Sequence, residues 1–243
     1  DLPASVAGID GHHCLAEEII SAGRQCTQEG YVFDGETTVY GVIDSLRSGP
    51  ARSSFSRYQY PSTLPPAVLE RMARISERLM RHIGYDTAPF NVEYFWDEDS
   101  DRIWLLEINP RISKSHAPLF RLVDGQYHHR VMIDLGLGRR PRFAGGAGEH
   151  ALAAKFMVRR YADARVTRVP SDDEIAAVEA AVPGTQIQID VQAGMRLSDL
   201  RDQDSYSYEV ATIFVGGADR AELQAKYRAC LQRLPLRFEK TAA

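Results

Sequence analysis

The chain of 243 residues lacks any long apolar run, and this excludes one class of protein at the outset. No uninterrupted hydrophobic stretch approaches the roughly 20 residues that a membrane-spanning helix needs. The sequence also does not open with a charged and then apolar leader. We therefore expect no membrane partner, and the predicted location is the cytoplasm.

Cysteine and strong net charge are scarce as well. The three cysteines, Cys14, Cys26 and Cys230, lack the spacing of a metal site, which favours reduced thiols over a disulfide framework. The formal net charge is −4 and the sequence pI is about 6.0. Because no basic stripe with interleaved aromatic residues is present, we expect no nucleic-acid partner.

The residues that point to chemistry are concentrated between Phe90 and His116. Two runs rich in aromatic and β-branched residues, Phe90–Trp96 and Ile103–Asn109, flank an acidic segment, and this pattern predicts a β-hairpin. Side chains alternate along each strand. One face of the first strand would carry Asn91, Glu93 and Phe95. One face of the second would carry Ile103, Leu105, Glu107 and Asn109.

The pairing of the two strands decides what this face can do. If Trp96 lies opposite Trp104, then Glu93 lies opposite Glu107. Asn91 and Asn109 are opposed in the same register. Like charges at opposed positions destabilise a sheet, because their Cβ atoms are only about 4.5–5.5 Å apart. A magnesium ion would offset this repulsion, since it prefers carboxylate, amide and phosphate oxygens. The alternative is a solvated polar face on which each Glu reaches outward separately.

The segment that follows resembles a known family. Glu107–His116, read as EINPRISKSH, resembles the metal-binding strand and following turn of the ATP-grasp ligases, particularly the carbamoyl phosphate synthetase and biotin carboxylase branch. The segment 91–93, read as NVE, resembles the preceding strand of those enzymes. The resemblance implies an α+β fold: an ATP-grasp large subdomain, built as an antiparallel sheet with helices, plus a C-terminal α+β lobe.

The resemblance also implies the roles of six residues. Those that would bind magnesium (or manganese) ions bridging the phosphates of ATP are Glu93, Glu107 and Asn109. Those that would hold the acyl phosphate or the incoming carboxylate are Arg111, Ser113 and Lys114. The chemistry agrees, because a guanidinium grips carboxylate and phosphate oxygens in bidentate fashion, whereas lysine supplies a point charge.

An earlier segment resembles the adenine hinge of the same family. His13–Ile20 is a short apolar strand ending in two acids, like the hinge at which backbone groups meet adenine and a carboxylate meets the ribose. The implied nucleotide-binding residues are Glu17, Glu18, Ile20 and Gln25. Gln25 stands where the family often has glutamate, which leaves its role open. A strand that ends in a solvated acidic pair is the alternative.

The activity that the resemblance implies is that of a carboxylate–amine ligase. ATP would phosphorylate a small carboxylate to an acyl phosphate, which an amine such as an amino acid would attack with loss of phosphate. Bicarbonate activation, as in carboxylases and carbamoyl phosphate synthesis, is one alternative. A non-catalytic nucleotide-binding domain is another. A homodimer is left open.

The predicted organisation has two parts and lacks one. Residues 1–140 would be the C-terminal part of an ATP-grasp domain, and residues 141–243 the C-terminal lobe. The sequence shows neither the glycine-rich loop nor the lysine that cover the ATP phosphates in the family. The lysines present are Lys114, Lys155, Lys226 and Lys240. We therefore expect a missing N-terminal portion, in cis or on a companion chain, and no measurable ATP turnover by these residues alone.

The remaining predictions concern the scaffold. Asp34-Gly35 predicts a tight hairpin turn, the segment Ser48–Pro61 predicts a loop over the site, and Ala67–Ile83 predicts a helix. The adjacent His128 and His129 lack the spacing of a helical zinc pair, so surface or capping positions are expected. For His116 the alternatives are orientation of Glu107, contact with substrate and a purely structural position.

Overall fold

Ten strands and five helices make up the described part of the chain. The structure is a computed structural model that describes residues 20, 23–50, 54–200 and 206–240. The strands are β1 (Arg24–Phe33), β2 (Glu36–Arg47), β3 (Phe55–Tyr60), β4 (Ala88–Asp97), β5 (Arg102–Asn109), β6 (Leu152–Arg160), β7 (Ala164–Arg168), β8 (Thr185–Ile189), β9 (Tyr208–Gly217) and β10 (Arg237–Lys240). The helices are α1 (Pro66–His82), α2 (Ala117–Asp124), α3 (His129–Gly136), α4 (Asp172–Ala181) and α5 (Arg220–Arg233). None of these helices is long and apolar enough to cross a membrane.

Eight strands form one antiparallel sheet in the order β5-β4-β1-β2-β3-β6-β9-β8. The sheet continues across residue 140, because β6 pairs with β3. Strands β7 and β10 form a separate two-stranded sheet. This antiparallel sheet with helices confirms the predicted α+β class, whereas the division into two domains at residue 140 stays a prediction.

Helix α1 covers one face of the β5-β4-β1-β2 part of the sheet. It begins with Pro66 in its first turn and is followed by Gly84 at φ 66°. Its inward side chains, Val68, Met72 and Met80, pack in one cluster with Phe90, Val92, Tyr94 and Trp96 of β4. Ile83, the last residue of the predicted helix, follows the end of α1 and is 52% exposed. Because Phe90, Val92, Tyr94 and Trp96 face α1, alternation along β4 places Asn91, Glu93 and Phe95 on the opposite face of the sheet.

The predicted loop at Ser48–Pro61 is wrong for half of its length. Phe55–Tyr60 forms strand β3, which lies between β2 and β6 and joins the two halves of the large sheet. The segment FSRYQY is rich in aromatic residues, which favour a pleated surface. Gly49-Pro50 ends β2 but does not extend the irregular structure as far as Pro61.

The C-terminal half follows the predicted alternation of strands and helices. Ser171 and Glu174 form a capping box at the start of α4. In α5, Leu223 and Cys230 are fully buried, whereas Leu231 is 38% exposed. The apolar contacts of α5 are therefore confined to a narrow stripe.

Candidate functional site

The hairpin β4–β5 places the predicted polar pairs opposite each other. Glu93 is the partner of Glu107, and Asn91 is the partner of Asn109. Glu93 is half-buried and Glu107 is exposed. The predicted opposition of two carboxylates, with an amide pair beside it, is therefore confirmed.

The pairing that was expected to produce this register is wrong. Trp96 lies opposite Ile103, not Trp104, and Tyr94 lies opposite Leu105. The register therefore shifts by one residue between Tyr94 and Glu93. This shift is a β-bulge that leaves Leu106 without a partner of its own. Opposed residues share a face, so Ile103 and Leu105 lie on the α1 side of the sheet. The prediction that they share a face with Glu107 is therefore wrong. Ile103 indeed packs against the α1 cluster.

Strand β1 adds further polar side chains to the same face. Gln25, Thr27 and Glu29 are the partners of Phe95, Glu93 and Asn91 in β4. The Nε2 of Gln25 donates a hydrogen bond to Glu93 Oε2 at 2.9 Å. The buried Oε1 of Gln25 has no hydrogen-bond partner within the described ranges. Gln25 thus joins the carboxylate pair, although its predicted nucleotide role stays a prediction.

Glu29 holds the metal-side strand and the following turn together. It is fully buried, and its Oε1 accepts hydrogen bonds from Asn91 Nδ2 at 2.7 Å and from the Ser113 N–H at 3.1 Å. The Nδ1 of His116 lies 2.8 Å from the same oxygen. His116 therefore contacts Glu29 and not Glu107, and it has a structural position in a buried network.

His128 belongs to this network, so its predicted surface position is wrong. The side chain is fully buried; Nδ1 lies 3.2 Å from the Tyr40 hydroxyl and Nε2 lies 3.0 Å from the Ser113 carbonyl oxygen. It does precede the first residue of α3 as an N-cap residue, but without a side-chain cap hydrogen bond. The neighbouring His129 is exposed, as expected.

Lowering the pH should destabilise the fold through His128. Burial lowers the pKa of His128 to about 4, although the nearby Glu29 carboxylate acts in the opposite direction. The unfolded chain binds the proton already near its ordinary pKa of about 6.5. Stability is therefore complete above about pH 6.5 and is lost as the pH falls towards about 4, by about 3 kcal/mol in total.

Urea unfolding at pH 7, 6, 5 and 4.5 measures this loss. His128→Asn should show a correspondingly flatter dependence on pH, whatever its stability at pH 7. His129→Asn, on the exposed neighbour, is the matched control and should keep the wild-type slope. A wild-type slope in His128→Asn would contradict the assignment.

The turn after β5 carries the three residues predicted to meet the reacting groups. Arg111 is exposed; its Nη2 donates to Asn109 Oδ1 at 3.1 Å and its Nη1 to the Ile112 carbonyl oxygen at 3.3 Å. Ser113 is fixed through its backbone by Glu29 and His128, and its hydroxyl lies 3.1 Å from that of Ser115. Lys114 is exposed and lines a cavity. The turn thus leads from the carboxylate pair to this cavity.

A continuous row of side chains links the carboxylate pair to the same cavity. Gln25 pairs with Ser45, Ser45 with Tyr58, and Tyr58 with Lys155. The Tyr58 ring packs edge-on against His116, with ring centres 5.2 Å apart. Burial, with the Glu93 and Glu209 carboxylates, raises the pKa of Tyr58 to about 12. Lys155, which was expected in an appended lobe, lies on this shared face of the sheet.

The chemistry of the donor set fits magnesium. The opposed Glu93 and Glu107 supply two carboxylates, and Asn109 supplies an amide oxygen; magnesium usually takes one or two protein carboxylates and keeps water and phosphate as other ligands. Within the described ranges, no group of three or more His, Cys, Asp or Glu side chains could hold a metal ion.

Part of the predicted nucleotide site cannot be placed. Glu17 and Glu18 lie outside the described residues. Ile20 is described and half-buried, but no side-chain interaction identifies it with a nucleotide. The adenine hinge stays a prediction from resemblance.

Comparison with known proteins defines the class to which this fold and face belong. Residues 50–139, which include the polar pairs and Arg111, match the family model described as carbamoyl-phosphate synthase L chain, ATP binding domain. The carbamoyl phosphate synthase large chain of Helicobacter pylori is 28% identical over 80 residues, which are 33% of this chain and 7% of that protein.

Solved structures show the same fold over nearly the whole chain. Phosphoribosylglycinamide synthetase from Anaerococcus prevotii has a TM-score of 0.69 at 10% identity, over 91% of this chain and 55% of its own. The biotin carboxylase domain of Hydrogenobacter thermophilus 2-oxoglutarate carboxylase, solved with MgADP, ADP and bicarbonate, has a TM-score of 0.62 at 16% identity, over 88% and 46%. The fold is therefore that of ATP-grasp enzymes.

The matched segment and the shared fold together support the predicted resemblance to the ATP-grasp superfamily. It spans less than a tenth of the Helicobacter pylori protein and about half of each solved chain.

Proposed function

We propose that this chain carries the metal- and phosphate-binding face of an ATP-dependent ligase, which activates a carboxylate as an acyl phosphate for attack by an amine. The observation that supports it is the opposition of Glu93 and Glu107 beside Asn109, with Arg111 hydrogen-bonded to that asparagine. A structural hairpin would be destabilised by such a carboxylate pair, whereas magnesium nucleotide binding makes use of it.

Each side chain has a defined task in this proposal. Glu93, Glu107 and Asn109 would hold a magnesium ion, which would supply positive charge to offset the charge of the triphosphate. Asn109 also orients Arg111 through its Oδ1. The exposed guanidinium then holds carboxylate or phosphate oxygens of the reacting groups in bidentate fashion. Ser113 and Lys114 lie next along the same turn, within reach of the incoming substrate.

The phosphate-covering lysine is proposed to come from a further portion, in cis or on a companion chain. No lysine precedes Lys114 in the sequence. Lys114 lies on the metal-side turn, and Lys155 lies on β6, several strands away from the carboxylate pair. Neither is placed to cover phosphates from the opposite side of a nucleotide.

Bicarbonate activation is the second candidate function. It is favoured by the match of residues 50–139 to a carbamoyl-phosphate synthase domain. The polar face is common to both candidates, because both activate a carboxylate-like oxyanion with ATP. The acceptor side of the site is what distinguishes them.

Nucleotide binding by the chain should require magnesium or manganese. Titration calorimetry with ATP in magnesium and in EDTA measures this directly, and we expect the binding heat to disappear in the chelator. Glu107→Gln removes one carboxylate and should weaken binding in magnesium by about tenfold or more, on the scale of one charged contact. Equal affinity with and without magnesium would contradict the proposed site.

The same substitution should leave the fold intact. Glu107 is exposed and makes no hydrogen bond or ion pair within the described part of the chain, so the free energy of unfolding should change by less than about 0.5 kcal/mol. The matched control is Glu98→Gln at the exposed hairpin tip. We expect it to change neither nucleotide affinity nor stability.

A further inference from the structure

The cavity beside the turn at residues 114–115 is large and has walls of mixed character. Its volume is about 570 Å³, within the range of sites for small molecules. Its lining comes from β6, β9, the turn, the first turn of α2 and the end of β8, and includes Lys114, Lys155, Asp190, Glu209, Thr212 and Phe214. We call this the lobe cavity.

The ammonium groups of Lys155 and Lys114 can donate hydrogen bonds to a ligand in the lobe cavity. The Lys155 ammonium lies 3.9 Å from Glu209 Oε1, which is an ion-pair distance but too long for a hydrogen bond. Lys114 is exposed and has no hydrogen bond or ion pair with any described residue. A ligand carboxylate could therefore accept hydrogen bonds from both ammonium groups.

One anion of the lobe cavity lacks a cation. Asp190 accepts hydrogen bonds from Gln188 Nε2 at 2.7 Å and from Thr212 Oγ1 at 3.2 Å, both neutral donors. No cation of the described residues lies within ion-pair distance of it. Burial, with the Glu209 carboxylate, raises the pKa of Asp190, although the more distant Lys155 ammonium acts in the opposite direction. A desolvated carboxylate whose hydrogen-bond donors are all neutral gains from a cationic ligand at ion-pair distance.

Glu209 does not have the same need. Its carboxylate already lies 3.2 Å from Arg159 Nη2, and it shares the single hydroxyl proton of Thr212, whose Oγ1 is 3.0 Å away, with Asp190. The cavity therefore offers two cationic donors and one acceptor for a cation. Phe214, Pro118 and Leu200 supply the apolar part of its lining.

We infer that the lobe cavity binds an α-amino acid with an apolar side chain. The ammonium group binds Asp190, the carboxylate binds Lys155 and Lys114, and the side chain packs beside Phe214. This deepens the proposed function and rests on it only in taking the amino acid as a substrate of the ligase. Bicarbonate would fill little of the cavity and would offer Asp190 no cation.

Matched ligands test each end of the amino acid separately. Calorimetry on the full 243-residue chain would compare L-phenylalanine with 3-phenylpropanoate, which lacks the ammonium group, and with 2-phenylethylamine, which lacks the carboxylate. L-Valine, 3-methylbutanoate and 2-methylpropylamine form a second set. We expect at least one amino acid to bind about tenfold or more tightly than both of its analogues, the scale of one charged hydrogen bond.

Two substitutions assign these preferences to residues. Asp190→Asn keeps the shape and should weaken binding of the amino acid by about tenfold while leaving the ammonium-free acid unchanged. Lys155→Met should weaken binding of the amino acid and of the ammonium-free acid, but it should leave binding of the carboxylate-free amine unchanged. Asp173→Asn, on the exposed first turn of α4, is the control and should alter none of these affinities.

The outcomes separate this inference from the proposed function. The inference is overturned if neither amino acid binds, if the ammonium-free acids bind as tightly as the amino acids, or if Asp190→Asn leaves the discrimination intact. Magnesium-dependent ATP binding, measured in the same preparations, decides the proposed function independently. Loss of one with retention of the other shows which of the two has failed.

Discussion

Replacing Arg111 by lysine should lower the turnover of the proposed ligase by at least about a hundredfold while the chain stays folded. The substitution keeps the charge but removes the planar fork that grips two oxygens at once. Loss of such a preorganised contact to developing charge costs about 3 kcal/mol or more in the transition state. The fold should be insensitive, because Arg111 is exposed and, among the described residues, its hydrogen bonds reach only Asn109 and Ile112.

Substrate-dependent phosphate release by the complete enzyme, with the portion that covers ATP present, is the appropriate measurement. Arg78→Lys on the exposed face of α1 makes the same chemical change away from the site and should leave turnover unchanged. Urea unfolding of both variants controls for folding. If folded Arg111→Lys turns over at nearly the normal rate, the guanidinium does not hold the reacting oxygens.

Removing the Glu29 carboxylate should cause the largest loss of stability of any change considered. Glu29→Ala leaves the Asn91 amide, the Ser113 N–H and His116 without their common acceptor in a buried place. Each unsatisfied buried donor costs about 1–3 kcal/mol, and three groups lose their acceptor together. We expect the free energy of unfolding to fall by about 3–5 kcal/mol, measured by urea denaturation at pH 7.

The comparison that gives this result its meaning is Glu36→Ala. Glu36 pairs with Arg140 on the surface, where an ion pair contributes about 0–1 kcal/mol. Glu29→Gln, which keeps one carbonyl oxygen, should fall between the two. Equal losses in Glu29→Ala and Glu36→Ala would show that the buried network does not stabilise the turn.

The local pattern of the sequence predicted the hairpin and its carboxylate pair well. Alternation along β4 and β5 depends on neighbouring residues, and the turn at Asp34-Gly35 depends on backbone conformation at two positions, with φ 52° and 73°. The resemblance of residues 107–116 to ATP-grasp ligases added the superfamily, which the fold and the matched segment support. Both kinds of signal lie within short stretches of chain.

The interactions that were missed are non-local. Glu29 bonds to partners 62, 84 and 87 positions away, and no local pattern announces them. The sequence did carry one weak signal of this network. Glu29 is the one charged residue within Gln25–Phe33, and a charge inside a buried strand needs a buried partner. His128 and Lys155 were misplaced for the same reason, because their surroundings come from strands distant in sequence.

The bulge at Leu106 gives the two ends of β5 separate duties. Before the bulge, the alternation of β5 directs Ile103 to the apolar cluster under α1. After it, the alternation directs Glu107 and Asn109 to the face of the proposed metal site. A strand without Leu106 could not meet both requirements, because the register that buries Ile103 would turn Glu107 and Asn109 towards the helix. Residues of the core or of the hairpin tip can therefore be substituted without turning the carboxylates to the other face of the sheet, as long as the bulge at Leu106 is retained.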